Sequence, residues 1–177
     1  MRYPIAILAA LLVTACGSQP PAPEQDPSGV ESRTPRTPAD TQPVQQTAVD
    51  AYSVAALKDP KSILSKRAIY FDYDSYVVKD EFRPLIEAHA RFLVNNPKFR
   101  VLIQGNADER GSREYNLALG QKRAEAVKKA LQLLGAREDQ TESVSLGEEK
   151  PVCTEQTEEC WAKNRRGDLL HSAANEF

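Results

Sequence analysis

The stretch from Gly17 to about Asp50 limits where this chain can fold. It reads GSQPPAPEQDPSGVESRTPRTPADTQPVQQTAVD, which is rich in Pro, Ser, Thr and Gln and poor in large apolar residues. Such a segment cannot bury enough apolar surface to form a core. As a flexible coil it would span roughly 30 to 35 Å on average. We therefore predict a disordered linker over residues 16–50, and the rest of the chain has the length of one domain.

The first residues predict export and a membrane anchor. MRYPIAILAALLVTAC has one basic residue and then an apolar run that is shorter than the roughly 20 residues needed to cross a bilayer. We interpret residues 1–15 as a signal peptide. The end of this stretch, VTAC, resembles the lipobox of bacterial lipoproteins, which implies lipidation of Cys16. Gly17 follows where an aspartate would favour the inner membrane, so the resemblance implies an anchor at the periplasmic face of the outer membrane. The alternative is an ordinary signal peptide whose cleavage site adjoins a cysteine.

Charge and cysteine content narrow the function. A formal net charge of -2 does not indicate the excess of basic residues that is typical of nucleic-acid-binding proteins. Cys153 and Cys160 remain once Cys16 is assigned to lipid, and an oxidising periplasm favours a disulfide between them. Zinc is the rival interpretation, but His89 and His171 lie far away without recognisable ligand spacing. No metal or cofactor is predicted.

Apolar periodicity predicts an α+β domain over residues 65–172, followed by a short tail over 173–177. RAIYFDYD, FRVLIQG, SVSLGEEKP and GDLLHS read as strands. KDEFRPLIEAHARFLVNNP reads as a helix with His89 on its apolar face, most simply a core histidine, and CWAKNRR as a short helix. Residues 51–64 remain open between a short helix and a loose segment. The order β-α-β-α-β-α-β predicts two layers, with the helices packed on one mixed sheet.

The segment after GNADERG predicts a longer helix. Ser112 is a plausible N-cap and Gly135 a stop after the last turn. We expect the core stripe of this helix to comprise Leu117, Ala124, Val127, Leu131 and Leu134. A second face, predicted to be polar, carries Asn116, Leu119, Gly120 and Arg123. It would direct Arg123 toward Asp108 at the helix start.

Two interpretations of Asp108 and Arg123 stay open on spacing alone. Either they pair with each other or lie solvated, or a ligand that carries both charges holds them apart. Asp72 and Asp74 are expected to share a face at the end of the first strand.

Four stretches together resemble the OmpA-like peptidoglycan-binding domain: IYFDYDS, GNADERGSREYNLALGQKRAEAVKKAL, SLGEEKP and WAKNRR. With the lipobox and the linker, the chain resembles the lipoprotein branch of that family, the peptidoglycan-associated lipoproteins. The resemblance implies that Asp108 and Arg123 bind the diaminopimelate of the cell-wall stem peptide. It implies further ligand contacts from Asp74, Asn116, Asn106 and Leu119.

The resemblance also implies a role and a partner. The role is tethering the outer membrane to the cell wall within the Tol-Pal system, in envelope integrity and cell division. The partner is the periplasmic propeller protein of the Tol system. Enzymatic activity is disfavoured. Asp72 and Asp74 could be offered as paired carboxylates, but two residues at the end of one strand cannot lie on either side of a scissile bond, as the carboxyl groups of a glycosidase do. No G-x-S-x-G or H-E-x-x-H motif is present either.

The predicted bridge between Cys153 and Cys160 lies outside the Asp108 loop and its following helix in sequence. We therefore expect it to affect local stability and not ligand binding.

Overall fold

A computed structural model describes residues 51–177. The predicted signal peptide, Cys16 and the linker over 16–50 lie outside the described residues. All of the described residues belong to one compact unit, for which the bounds along the chain are Gln42–Phe177. Within residues 51–177, no helix is long and apolar enough to cross a membrane.

One four-stranded sheet organises the unit. Its strands are β1 (Ala68–Tyr70), β2 (Val101–Asn106), β3 (Thr141–Gly147) and β4 (Arg166–His171). Their order across the sheet is β1-β4-β2-β3. β2 and β3 are parallel, whereas β4 runs antiparallel to both of its neighbours, β1 and β2. The sheet is therefore mixed, as the sequence predicts, with the strand that comes last in sequence inserted into its interior.

The helices are α1 (Arg83–Asn95), α2 (Arg113–Leu133) and α3 (Glu158–Asn164). Short 3-10 turns cover Ala55–Leu57, Ile63–Ser65, Asp80–Phe82, Glu138–Gln140 and Ser172–Ala174. α2 packs across β2 and β3 and also contacts α1. The predicted two-layer α+β class is confirmed.

The apolar periodicity of α1 matches its burial. Leu85, Ile86, Phe92 and Leu93 are buried on the face that the sequence predicts, and Phe82 before the helix is partly buried against the core. Pro84 stands in the first turn, where its missing N–H has no intrahelical partner to lose.

The predicted stripe of α2 is partly wrong. Ala124, Val127 and Leu131 are buried, but Leu117 is 51% exposed and Leu134 45% exposed. The face predicted to be polar and separate from the core is buried instead, with Asn116, Leu119, Gly120 and Arg123.

The reason for this rotation of α2 is a contact between two glycines. A Cβ placed on Gly105 of β2 would lie 1.8 Å from the carbonyl oxygen of Gly120. A Cβ on Gly120 would lie 2.3 Å from Ser145 Oγ. No real Cβ contact is that short, so the backbones of α2 and β2 meet here without an intervening side chain. This close approach turns the Asn116 to Arg123 face toward the sheet.

The segments at both ends of the predicted domain join the core. In residues 51–64, left open by the sequence, Leu57 and Leu64 are buried to 3% and 0% exposure. Near the other end, Glu176 accepts a hydrogen bond from the backbone N–H of His171 at 2.6 Å and pairs with Arg67 at 3.1 Å. Residues 173–177, predicted as a tail, are thus held against the sheet.

The two histidines stack in the core. Their ring centroids lie 4.9 Å apart, and neither is exposed. His89 Nε2 donates to the carbonyl of Lys66 at 2.9 Å, because a carbonyl can only accept. His89 Nδ1 then accepts from His171 Nε2 at 2.9 Å, and His171 Nδ1 is buried with no hydrogen-bond partner among the described residues. Both rings are therefore neutral, and burial lowers the pKa of His89 to about 4 and that of His171 further. Sequence separation concealed this pair, but His89 is the core histidine that its periodicity predicts.

Candidate ligand-binding site

A cavity of about 180 Å³ lies where the chain leaves β1 and β2 and enters α2. Its lining comprises Tyr73, Asp74, Ala107, Asp108, Arg110, Gly111, Tyr115, Asn116, Leu119 and Arg123. Five of the six predicted ligand-binding residues therefore meet around one space. Asn106 is the exception.

The loop after β2 is fixed at both ends. At its start the N–H of Ala107 donates to the carbonyl of Gly147 at 2.7 Å. At its end Ser112 caps α2, its hydroxyl accepting from the N–H of Tyr115 at 3.2 Å. Gly111 between them has φ +110°, a conformation that side chains with a Cβ rarely adopt. These features explain the glycine and serine of GNADERGS.

Arg123 is fully buried and holds the floor of the site together. Its guanidinium donates to the carbonyls of Ser75 and Asn106, each at 2.8 Å, and of Asp72 at 3.1 Å. Burial lowers the pKa of Arg123 to about 10, while the nearby charge of Asp108 opposes that shift. The group is therefore still cationic at neutral pH. Among residues 51–177 it has no carboxylate within ion-pair distance.

Asp108 pairs with two other arginines. Its Oδ1 accepts from the N–H and Nε of Arg110, both at 3.1 Å. Its Oδ2 accepts from Arg110 Nη2 at 2.8 Å and Arg165 Nη1 at 3.3 Å. Burial alone would raise the pKa of Asp108, but these hydrogen bonds outweigh it and the pKa lies below its usual value. The simple interpretation that Asp108 and Arg123 pair directly is wrong.

Arg110 lies in a stack that the sequence analysis missed. Its guanidinium carbon is 4.2 Å from the ring of Tyr73 and 4.2 Å from the ring of Trp161 in α3. Its Nη1 is also 3.3 Å from Glu158 Oε2. Motif WAKNRR, which carries Trp161 and Arg165, was the available signal, but nothing local connects it with residue 110.

Asp72 and Asp74, predicted to share a face at the end of β1, have different surroundings. β1 ends at Tyr70, so Asp72 and Asp74 lie in the following loop and do not share a strand face. Asp72 is exposed and pairs with Lys79 at 3.3 Å. Asp74 has φ +51°, lines the cavity and accepts a hydrogen bond from the hydroxyl of Tyr115.

The amides take different positions. Asn116 lines the cavity and donates to Glu148, while the backbone carbonyl of Asn106 accepts from Arg123. The Asn106 side chain instead donates to the carbonyl of Gln104 at 3.1 Å and to Asp168 at 3.2 Å. It therefore links the two central strands, β2 and β4, and does not line the cavity.

Cys153 and Cys160 form a disulfide. Cys160 belongs to α3 and is 1% exposed. That this bridge affects local stability and not ligand binding stays a prediction, but α3, which carries Cys160, contacts the Asp108 loop through Glu158 and Trp161. Among residues 51–177, no group of three or more His, Cys, Asp or Glu could hold a metal ion.

Comparison with known proteins shows the family of this chain. The model of the OmpA family matches residues 70–165. The chain is 45% identical over 103 residues to the peptidoglycan-associated lipoprotein of Pasteurella multocida, covering 58% of this chain and 69% of that one. It is 45% identical over 114 residues to the protein of that name from Pseudomonas putida, covering 64% and 68%.

Solved structures give the same result. The crystal structure of the peptidoglycan-associated lipoprotein from Burkholderia pseudomallei is 57% identical, with TM-score 0.65, and the match covers 66% of this chain and 98% of that chain. The C-terminal domain of Helicobacter pylori MotB is 22% identical, with TM-score 0.56, over 60% of this chain and 84% of that one, which shows the fold alone. The relatives are named as peptidoglycan-associated lipoproteins. This chain belongs to the OmpA family, among the peptidoglycan-associated lipoproteins.

Proposed function

We propose that the cavity binds the diaminopimelate side chain of peptidoglycan stem peptides. We also propose that acyl chains on Cys16 hold the protein in the outer membrane, so that it ties that membrane to the cell wall. The observation that carries the binding proposal is Arg123. It is a buried cation on a polar cavity, held by backbone carbonyls and lacking an ion-pair partner among the described residues.

The ligand chemistry fits this cavity. A diaminopimelate side chain ends in an amine and a carboxylate on one carbon, so its receptor needs a cation and an anion close together. Arg123 would receive the carboxylate, for which a planar guanidinium is the better partner than an ammonium. Asp108 and Asp74 supply the negative charge for the ligand's ammonium, and Leu119 covers the methylene stem.

Asp74 is suited to the direct contact with the ammonium. Each oxygen of Asp108 already accepts two hydrogen bonds from arginine groups, whereas the exposed carboxylate of Asp74 has Tyr115 as its donor. Asn116 offers both a donor and an acceptor to the remaining polar atoms.

The test compares two stem peptides that end in diaminopimelate or in lysine. Lysine keeps the amine but lacks the neighbouring carboxylate, so Arg123 would face an empty position. Leaving a charged partner unmatched typically costs about 1.5 to 3 kcal/mol, which is roughly a tenfold to 150-fold weaker complex. Calorimetry of the Gln42–Phe177 unit measures both affinities. Equal binding of the two peptides would show that the charge-pair assignment is wrong.

Asp74→Asn is the variant best suited to this test. The side chain is exposed, so its loss of charge should weaken both peptides without unfolding the domain. Asp80→Asn is the matched control, since Asp80 is 85% exposed, pairs with Arg83 and lies outside the cavity. We expect that control to bind both peptides as the original chain does.

The proposed role extends to envelope integrity and cell division. The family resemblance implies that the same domain contacts the periplasmic propeller protein of the Tol system. The names of the relatives, peptidoglycan-associated lipoproteins, support the wall-binding half of this role.

A further inference from the structure

We propose that α3 and its disulfide are a positioning element for the cavity. Glu158, Trp161 and the Cys153–Cys160 bridge line no part of the cavity, yet they would set its affinity by holding Arg110 and Asp108 in place. The proposal rests on the proposed function for the ligand, and it goes beyond it in assigning affinity to residues that the ligand does not touch.

The first step is the confinement of Arg110. Free arginine side chains have many rotamers, but this guanidinium is enclosed between two aromatic rings, with a carboxylate at either end. Tyr73 and Asp108 belong to the cavity itself. Trp161 and Glu158, which complete the enclosure, both come from α3. Without α3, Arg110 would keep only half of the contacts that fix it on the cavity wall.

The second step is the alignment of both arginines by one carboxylate. Glu158 Oε2 lies 3.3 Å from Arg110 Nη1, and Glu158 Oε1 accepts from Arg165 Nη2 at 2.7 Å. These are the two arginines that bind Asp108. The orientation of the Asp108 carboxylate is therefore coupled to Glu158.

The third step concerns contacts from α3 and Arg165 to the segments after β2 and β1. Trp161 Nε1 donates to Glu109 Oε1 at 3.2 Å, so α3 also holds the residue between Asp108 and Arg110. Arg165 Nε donates to the carbonyl of Phe71 at 3.2 Å. The same short region thus contacts the segments after β1 and β2, both of which contribute residues to the cavity lining.

The fourth step is the dependence of α3 on its bridge. The helix has only seven residues, and isolated helices of that length are unstable in water. Thr157 caps it, and Asn164 accepts from the N–H groups of Val152 and Cys153 and donates to the carbonyl of Cys153. The disulfide adds a covalent tie at Cys160, which stands between Glu158 and Trp161 in the chain. Loss of the bridge should therefore loosen both side chains that confine Arg110.

The binding test uses the Gln42–Phe177 unit and the diaminopimelate peptide. Glu158→Gln should weaken binding by about fivefold, the size of one modest ion-pair coupling. The Cys153→Ser, Cys160→Ser double variant should weaken it by roughly tenfold. Glu159→Gln is the matched control, because it removes the same charge from the adjacent, exposed position of α3 and should bind as the original chain does.

A spectroscopic measurement tests the positioning role without any ligand. Trp161 is the only tryptophan of the sequence, so its fluorescence reports the ring that stacks on Arg110. Arg110→Gln supplies the reference spectrum for the broken stack. We expect Glu158→Gln and the double cysteine variant to shift the emission toward that reference, while Glu159→Gln leaves it unchanged. A change in overall stability alone would not produce this shift in the folded protein.

The outcomes separate this inference from the proposed function. If the original chain binds no peptide, the proposed function fails, and the emission spectra still decide whether α3 holds Arg110. If Glu158→Gln keeps both its affinity and its emission, the inference is overturned. It is equally overturned if only one of the two quantities changes, since positioning requires that they change together. If the double cysteine variant does not fold, Glu158→Gln alone decides.

Discussion

Replacing Arg123 with methionine isolates what its buried guanidinium contributes to stability. Methionine keeps a long unbranched apolar stem but removes every donor. The carbonyls of Asp72, Ser75 and Asn106 would then lose the hydrogen bonds that now join the loop after β1 to the end of β2.

The expected loss follows from these three contacts. A hydrogen bond to a charged group contributes about 1.5 to 3 kcal/mol, so three bonds set an upper limit that is much larger than the net effect. Asp72 is exposed and Ser75 half-buried, so water can replace the donor at those two carbonyls, whereas Asn106 is 1% exposed. The buried cation also no longer has to be desolvated. We therefore expect a net loss of about 3 kcal/mol in the free energy of unfolding, which is the upper end of the contribution of one hydrogen bond to a charged group.

The measurement is urea unfolding of the Gln42–Phe177 unit, monitored by Trp161 emission and by circular dichroism. A loss of this size should lower the urea midpoint by roughly 1 to 2 M. Arg83→Met is the matched control, because the Arg83 side chain is 73% exposed and its partner Asp80 is 85% exposed. That change should cost less than about 1 kcal/mol. If Arg123→Met costs no more than Arg83→Met, the guanidinium is not what holds the loop.

Two further predictions concern acid stability and anchorage. The pKa values of His89 and His171 are lowered in the folded state, so the unfolded chain takes up protons first as the pH falls. The contribution of both histidines to stability should be fully present above about pH 6.5. Between there and about pH 4 the free energy of unfolding should fall by up to about 1.4 kcal/mol per pH unit for each histidine. Urea midpoints against pH should show a shallower slope in His171→Phe, and an unchanged slope would contradict this account. Cys16→Ser should leave the protein outside the outer-membrane fraction, because acyl chains are the proposed anchor; fractionation like that of the original chain would rule out lipid anchoring at this residue.

The sequence predicted the elements of the fold well because their signals are local. Apolar spacing located α1 and the buried strand residues, and Ser112 and Gly135 marked the two ends of α2. Gly135 indeed follows the helix with φ +101°. Such signals depend on residues a few positions apart, which share a strand face or a helix turn.

The orientation of α2 was beyond that reasoning. Leu117 has the spacing of a core residue, yet it is half exposed because the Gly105 and Gly120 contact fixes which face meets the sheet. A glycine in a helical sequence does not indicate which other backbone segment will pack against it. Burial of Arg123 and Asn116 follows from that single contact.

Sequence reasoning grouped most of the candidate site residues but did not predict their pairings. Asp74, Asp108, Asn116, Leu119 and Arg123 do meet around one cavity. The partners of Asp108 could not be foreseen, since Arg165 is 57 positions away and reaches the loop only because β4 enters the middle of the sheet. The role of the family asparagine at Asn106 was likewise hidden, because its neighbour Asp168 belongs to β4.

The central place of β4 also governs when this domain can fold. A polypeptide appears from the ribosome, or on the far side of a membrane, with its N-terminal end first. Ala68 of β1 therefore emerges long before Asp168, the residue it pairs with, and until then β1 and β2 have no strand to join them. Early collapse would bring together strands that are not neighbours in the finished sheet. The sheet of this domain can therefore be completed only after almost all of its residues have appeared, which makes its folding a late event.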